Sequence, residues 1–216
     1  MRPDGAGEPR SANSESRRIG VLISGRGSNL QALIDAIGDG TLAAQIVVVI
    51  SNKAHATGLD RAHAAGIETL CLDHRASASR DEYDANVARE LQARGVSLVC
   101  LAGFMRLVGP RLLEAFPNAI LNVHPSLLPA FAGVDAQRQA LEHGVKVSGA
   151  TVHLVTGELD GGPIVLQSAV PVRDDDTVDL LSARILIEEH RIYPEAVRMI
   201  LYGGWRVEGR RFFVAG

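Results

Sequence analysis

Cysteine is scarce in this chain: two residues, Cys71 and Cys100, among 216. That count leaves no disulfide framework, and the spacing matches no metal or redox motif. Each sits in an apolar run, "IETLCLD" and "VSLVCLAG", so both are expected to be inert buried thiols. Long hydrophobic runs are missing too. No stretch approaches the ~20 apolar residues of a membrane span, and no membrane partner is expected. Charge of one sign is not in excess: the net charge is −3, and no Lys/Arg cluster builds a basic face for nucleic acid. The seven histidines (55, 63, 74, 124, 143, 153, 190) form neither H-E-x-x-H nor H-x-x-E-H, so no metal is expected. Residues 1–17, "MRPDGAGEPRSANSESR", carry both signs of charge and no apolar core, unlike a signal peptide. They are expected to be a disordered leader to a single domain over 18–216, in the cytoplasm.

What is present is a regular alternation. From Arg18, short β-branched runs ("RRIGVLISG", "QIVVVIS", "IETLCLD", "SLVCLAG", "AILNVH") are separated by segments with helical spacing. In "SNLQALIDAIGDG" the apolar positions are Leu30, Leu33, Ile34 and Ile37, and in "SRDEYDANVARELQARG" they are Tyr83, Val87 and Leu91. Near-continuous apolar strands alternating with helices predict an α/β fold with a mostly parallel open sheet covered on both faces. The second half differs. "KVSGATVHLVT" and "PIVLQSAVPV" are joined by the glycine-rich "GELDGGP", which predicts an antiparallel addition. A long helix over roughly 178–201 follows, kinked or restarted at Pro194, and then a small hairpin turning at Glu208-Gly209.

Three places carry chemistry. "SGRGSNLQ" turns the first strand into its helix, with Gly25 and Gly27 allowing close backbone approach. It is neither a dinucleotide fingerprint, because Leu30 stands where the third glycine would fall, nor a P-loop. It fits a monophosphate or other small anion held on helix N–H groups, or an ordinary turn with Ser28 or Asn29 as N-cap. "LNVHPSLLP" ends a strand on Asn122 and His124, whose side chains share a face by alternation. An amide donor and an imidazole there would together serve the oxyanion of a tetrahedral intermediate and its proton. A lone histidine at a strand end is more often a structural residue. Asp160, in "TGELDGGP", is placed to orient that imidazole and favour its cation, or is a plain turn aspartate. A hydrolytic reading through Ser126 lacks a G-x-S-x-G elbow.

"HPSLLP" after "LN", followed by the later "LDGGP", resembles the folate-dependent formyltransferases. "SGRGSNLQ", "LAGFMRL" and "EEHRIYPE", in that order, are similar to the branch that formylates glycinamide ribonucleotide in the third step of purine synthesis. The resemblance runs from about Arg18 to the end of the long helix and implies a Rossmann-like formyltransferase fold. It implies that the substrate amine attacks the formyl carbon of 10-formyltetrahydrofolate, a co-substrate, with no metal. Gly27, Ser28 and Asn29 would hold the substrate phosphate, and Glu189 would contact the ribonucleotide. Asn122 and His124 would stabilise the oxyanion, with His124 as proton donor supported by Asp160. Arg80, Met105, Arg106, Leu107, Val108 and Asn122 would meet the folate. By the same resemblance the protein would be a monomer or homodimer.

The chain departs from the family after "SLLP". Many relatives carry Pro-Gly and then a Thr-His pair, where this chain has Ala132, Ala136 and Gln137. Two neighbours in the superfamily fit less well. A methionyl-tRNA formyltransferase is expected to carry a further RNA-binding domain, and a 10-formyltetrahydrofolate hydrolase an N-terminal regulatory one. A silent folate- or nucleotide-binding module would not demand Asn122, His124 and Asp160 together.

Overall fold

The computed structural model describes residues 17–214. The leader expected over 1–17 lies outside the described residues except for Arg17, whose guanidinium sits 4.2 Å over the Tyr202 ring. The first half alternates strand and helix: β1 (Arg18–Ile23), α1 (Ser28–Gly38), β2 (Gln45–Ser51), α2 (Gly58–Ala64), β3 (Thr69–Cys71), α3 (Arg80–Ala93), β4 (Leu98–Leu101), α4 (Pro110–Ala115) and β5 (Ile120–His124). The second half holds α5 (Ala136–Glu142), β6 (Val147–Leu154), β7 (Ile164–Pro171), α6 (Val178–Tyr202), β8 (Trp205–Glu208) and β9 (Arg211–Val214).

One sheet runs β3-β2-β1-β4-β5-β6-β7-β9-β8. β1 to β5 are mutually parallel, and β6 pairs antiparallel with both β5 and β7. The chain steps outward from β1 to β3, then returns past β1 to β4. Right-handed crossovers therefore put α1 and α2 on one face and α3 on the other. The contacts agree, since α1 packs against α2 and α6 while α3 packs against α4. A crevice must open between β1 and β4, where the winding reverses, at the carboxyl ends of the strands.

The helical positions read from spacing are buried except Ile34 and Ile37 on α1, which are half-buried against the core. Leu30 and Leu33 on α1, and Tyr83, Val87 and Leu91 on α3, are at most 2% exposed, each contributing on the order of 1.5–3 kcal/mol by leaving water. Ser79 caps α3 by accepting from the Glu82 N–H at 3.1 Å, and the Glu82 carboxylate reaches back to the Ala78 N–H at 2.6 Å. This fixes the start of α3 and with it Arg80. Tyr193 of α6 is fully buried, and its hydroxyl reaches the Leu101 and Leu121 carbonyls at 3.0 and 3.2 Å. It ties the long helix to β4 and β5 one residue before Asn122.

Three expectations need correction. Cys71 is exposed while Cys100 is buried, because β3 is the short edge strand and only one side of it is paired. Pro194 neither ends nor restarts α6, which runs as one helix. Its ring removes one backbone hydrogen bond, and the buried neighbours Ile192, Tyr193, Ala196 and Val197 hold the helix through it. Two short helices, α4 and α5, stand where no helix was expected. Pro110 at the first turn of α4 was a readable start signal.

Candidate active site

The β1–α1 loop leaves the start of α1 open. Gly27 is the N-cap of α1 in the left-handed conformation (φ 69°), and no side chain caps the helix or places an acid in its first turn. The first N–H groups therefore have no side-chain acceptor. A Cβ at Gly27 would meet the Gly58 Cα at 2.8 Å, so the loop also packs too tightly against α2 for a side chain. Arg61 pins it further, its Nε donating to the Arg26 carbonyl at 2.9 Å.

Asn29 is buried, and its Nδ2 donates to Glu189 Oε2 at 2.7 Å. Its Oδ1 is buried with no hydrogen-bond partner, an acceptor with capacity for a ligand hydroxyl or N–H. Burial pushes the Glu189 carboxyl above its usual range, with the Asn29 hydrogen bond opposing. Gly27, Ser28, Asn29 and Glu189 line one cavity of about 650 Å³ together with Arg26 and Met105.

A second cavity of about 220 Å³ lies on the other side of the carboxyl end of β5, lined by Arg80, Arg106, Leu107, Val108, Asn122 and Asp160 among others. The end of β5 is the wall between the two: Val123 and Pro125 face the larger cavity and Asn122 the smaller. Of the residues expected at the folate, the structure gathers all but Met105, which is 73% exposed and lines the larger cavity. Its N–H is held by Ser24 Oγ at 2.9 Å.

His124 sits in this wall, and both its ring nitrogens face acceptors. Nε2 is 2.9 Å from the Phe131 carbonyl, and Nδ1 is 3.4 Å from Asp160 Oδ2. Asp160 takes a left-handed turn (φ 49°) that aims its carboxylate back into the wall. Burial alone would raise its carboxyl. The His153 ring, the Gly133 N–H at 2.8 Å and the charge of His124 outweigh that and hold it below the usual carboxylate range.

Sequence reasoning missed His153, considered only as a metal ligand. Antiparallel register sets it directly opposite Asn122. Its Nδ1 bonds the Leu154 carbonyl at 3.0 Å, and its Nε2 lies 3.2 Å from Asn122 Nδ2 and 3.5 Å from Asp160 Oδ1. Only β5–β6 pairing brings these together, and a single sequence does not display that register. Ser126 is fully buried with its hydroxyl donating to the Ala130 carbonyl at 2.6 Å. That bond makes it a turn residue rather than a nucleophile. Among the described residues there is no group of three or more side chains suited to a metal, and no helix is long and apolar enough to cross a membrane.

A formyl transferase family model matches residues 17–197. The phosphoribosylglycinamide formyltransferase of Escherichia coli (strain K12) is 45% identical over 192 residues, covering 89% of this chain and 88% of its own length. The trifunctional purine biosynthetic protein adenosine-3 of Homo sapiens is 47% identical over 193 residues, and the matched part is 19% of that longer protein. The chain thus spans about a fifth of such trifunctional relatives. The solved structure of glycinamide ribonucleotide transformylase 1 from Symbiobacterium toebii superposes with a TM-score of 0.92 at 55% identity, covering 97% of this chain and all of that one.

Proposed function

Because the chain belongs to the formyl transferase family, we infer that it moves the formyl group of 10-formyltetrahydrofolate to the amine of glycinamide ribonucleotide. This is the third step of purine synthesis. The observation that carries this reading is the wall at the end of β5. Asn122 and Asp160 line the cavity with the apolar and basic lining, Val123 and Pro125 line the one with the open helix N-terminus, and His124 is buried in the chain between them.

The ribonucleotide takes the larger cavity. Its phosphate sits on the N–H groups of Gly27, Ser28 and Asn29, with Arg26 the one cation in that lining. A ribose hydroxyl meets the Asn29–Glu189 pair, whose spare Oδ1 needs a donor. The folate ring takes the smaller cavity against Leu107 and Val108. At about 220 Å³ this is below the ~300–1,000 Å³ of a drug-sized site, so the rest of the molecule lies outside it, toward Arg80 and Arg106. The amine attacks the formyl carbon, and the carbonyl oxygen becomes an alkoxide. Asn122 Nδ2 and His124 Nε2 donate to it. Collapse breaks the bond to the folate nitrogen, which takes a proton as it leaves, while the amine loses one. His124 supplies the first, and the deprotonated imidazole takes up the one the amine loses, so its cation, steadied by Asp160, is restored. A cytoplasmic location accords with this reading.

The test is loss of 10-formyltetrahydrofolate, followed by tetrahydrofolate absorbance, with and without glycinamide ribonucleotide. Turnover that requires the ribonucleotide supports transfer. Loss of the formyl group without it would mean a hydrolase, and binding of both ligands without turnover a silent module.

A further inference from the structure

Asp84 is a buried carboxylate that the reaction above leaves unused. It lies on α3, 3% exposed, and makes no ion pair among the described residues. Burial pushes its carboxyl above the usual range. A hydrogen bond from the Gly109 N–H and the charges of Arg106 and Arg80 oppose that rise, and Asp81 adds to it. The hydrogen bond is 2.6 Å long, and its donor stands 25 positions away along the chain. Taking a carboxyl out of water costs free energy that an apolar side chain would not. What Asp84 gains in return is one tie to one backbone N–H.

That tie sits at the end of the wall assigned to the folate. Between β4 and α4 the chain runs without regular structure, and its backbone is held at few points. The Gly103 carbonyl accepts from the Ser24 N–H at 3.2 Å, the Met105 N–H donates to Ser24 Oγ at 2.9 Å, and the Gly109 N–H donates to Asp84. Between the last two anchors, the backbone of Arg106, Leu107 and Val108 makes no hydrogen bond among the described residues. All three residues line the smaller cavity, and so does Arg80. Asp84 follows Arg80 by one turn of α3, on the same helix face. It therefore links the loop side of the cavity to the helix that carries the cavity's other arginine. The fit has no slack, because a Cβ on Gly109 would collide with Asp84 Oδ2 and come to 3.3 Å from Arg80 Cδ.

Resting on the folate reading above, we propose that Asp84 is a positioning residue for 10-formyltetrahydrofolate, acting through its hydrogen bond to Gly109. It touches neither substrate. The bond sets the distance between Arg80 and the segment 106–108, and so the width of the slot between them. Without it the segment is anchored at Met105 alone, and ordering the three residues becomes part of the cost of binding folate. The ribonucleotide cavity and the residues at the end of β5 do not depend on it.

The test measures kcat and the KM for each substrate in the full chain and in variants of Asp84 and Gly109. Asp84→Ala should raise the folate KM by about tenfold, the scale of one hydrogen bond to a buried N–H, with kcat and the ribonucleotide KM within about twofold. Asp84→Asn keeps an acceptor and should recover most of that loss. Gly109→Ala pushes on the carboxylate from the other side and should also raise the folate KM alone, so it carries the test if Asp84→Ala does not fold. In Asp84→Ala/Gly109→Ala the added methyl meets no carboxylate, and the double variant should be no worse than Asp84→Ala. A folate KM that neither single alanine substitution moves would overturn the assignment. So would a matching rise in the ribonucleotide KM or a fall in kcat, which a merely structural role would produce. An asparagine variant as impaired as the alanine one, or additive effects in the double variant, would overturn it as well. No turnover in the unaltered protein would instead refute the formyl-transfer reading, and with it the premise here.

Discussion

Replacing Asp160 by asparagine keeps the shape of the side chain and removes one charge, at a place where the charge has a defined partner. The carboxylate is 3.4 Å from His124 Nδ1, and both side chains are under 10% exposed. At an effective dielectric near 20, a pair about 4 Å apart interacts by about 4 kcal/mol. If that attraction supports the imidazolium that donates to the alkoxide, its loss lowers kcat by about 10³. The Gly133 N–H, now bound at 2.8 Å, keeps an acceptor in the asparagine oxygen, so the turn should hold and both KM values should change little. Single-turnover formyl transfer at saturating substrates reads this directly. A variant within about tenfold of the parent would refute the pairing of His124 with Asp160. An acid titration gives an independent check. The folded-state value of Asp160 lies below the ordinary 3.8, so its contribution to stability is present above that value and is lost as pH falls through the folded one. Asp160→Asn should remove that component, and its stability should fall less between about pH 4 and the acid limit.

Three further outcomes follow from the geometry. His124→Ala should nearly abolish transfer while folate binding, measured by fluorescence or calorimetry, stays close to normal. Ser126→Ala removes the hydrogen bond to the carbonyl of exposed Ala130 and should cost about 0.5–1.5 kcal/mol in denaturant unfolding, with activity within a few-fold. Complete inactivation would revive the hydrolytic serine. Glu189→Gln mimics the neutral acid that burial favours. Because the folded value of Glu189 is raised above 4.5, its contribution is full below that pH and fades as pH rises through the folded value. The variant should therefore match the parent near pH 4 and be more stable at pH 8, and an equal gap at both would contradict the raised value.

The parallel half of the fold was legible because each strand buried on both faces is a short apolar run and each helix repeats at helical spacing. Leu30 and Leu33, and Tyr83, Val87 and Leu91, were the buried positions that spacing implied. The short helices were less visible. α5 starts at Ala136 after Asp135 in a left-handed turn, with no side-chain cap, so neither a cap nor a long period announced it. At the site, Asn122 and His124 were readable from alternation along one strand. His153 was not, since its place depends on hydrogen bonds to a strand 31 positions away. Nor did the residues by themselves show that Met105 faces one cavity and Leu107 and Val108 the other. That division follows from where the chain turns after β4.

The Phe131 carbonyl on His124 Nε2 has a consequence for selectivity. If His124 Nε2 is the donor proposed above, the hydrogen it offers is engaged by a neutral amide oxygen 2.9 Å away. An incoming formyl oxygen that takes its place exchanges one neutral acceptor for another, with little gain. Once that oxygen becomes an alkoxide, the bond it accepts is roughly twice as strong. On the proposed mechanism the occupied donor would act as a threshold, quiet toward bound substrate and responsive to charge as it develops. That is the difference between ground state and transition state on which rate depends.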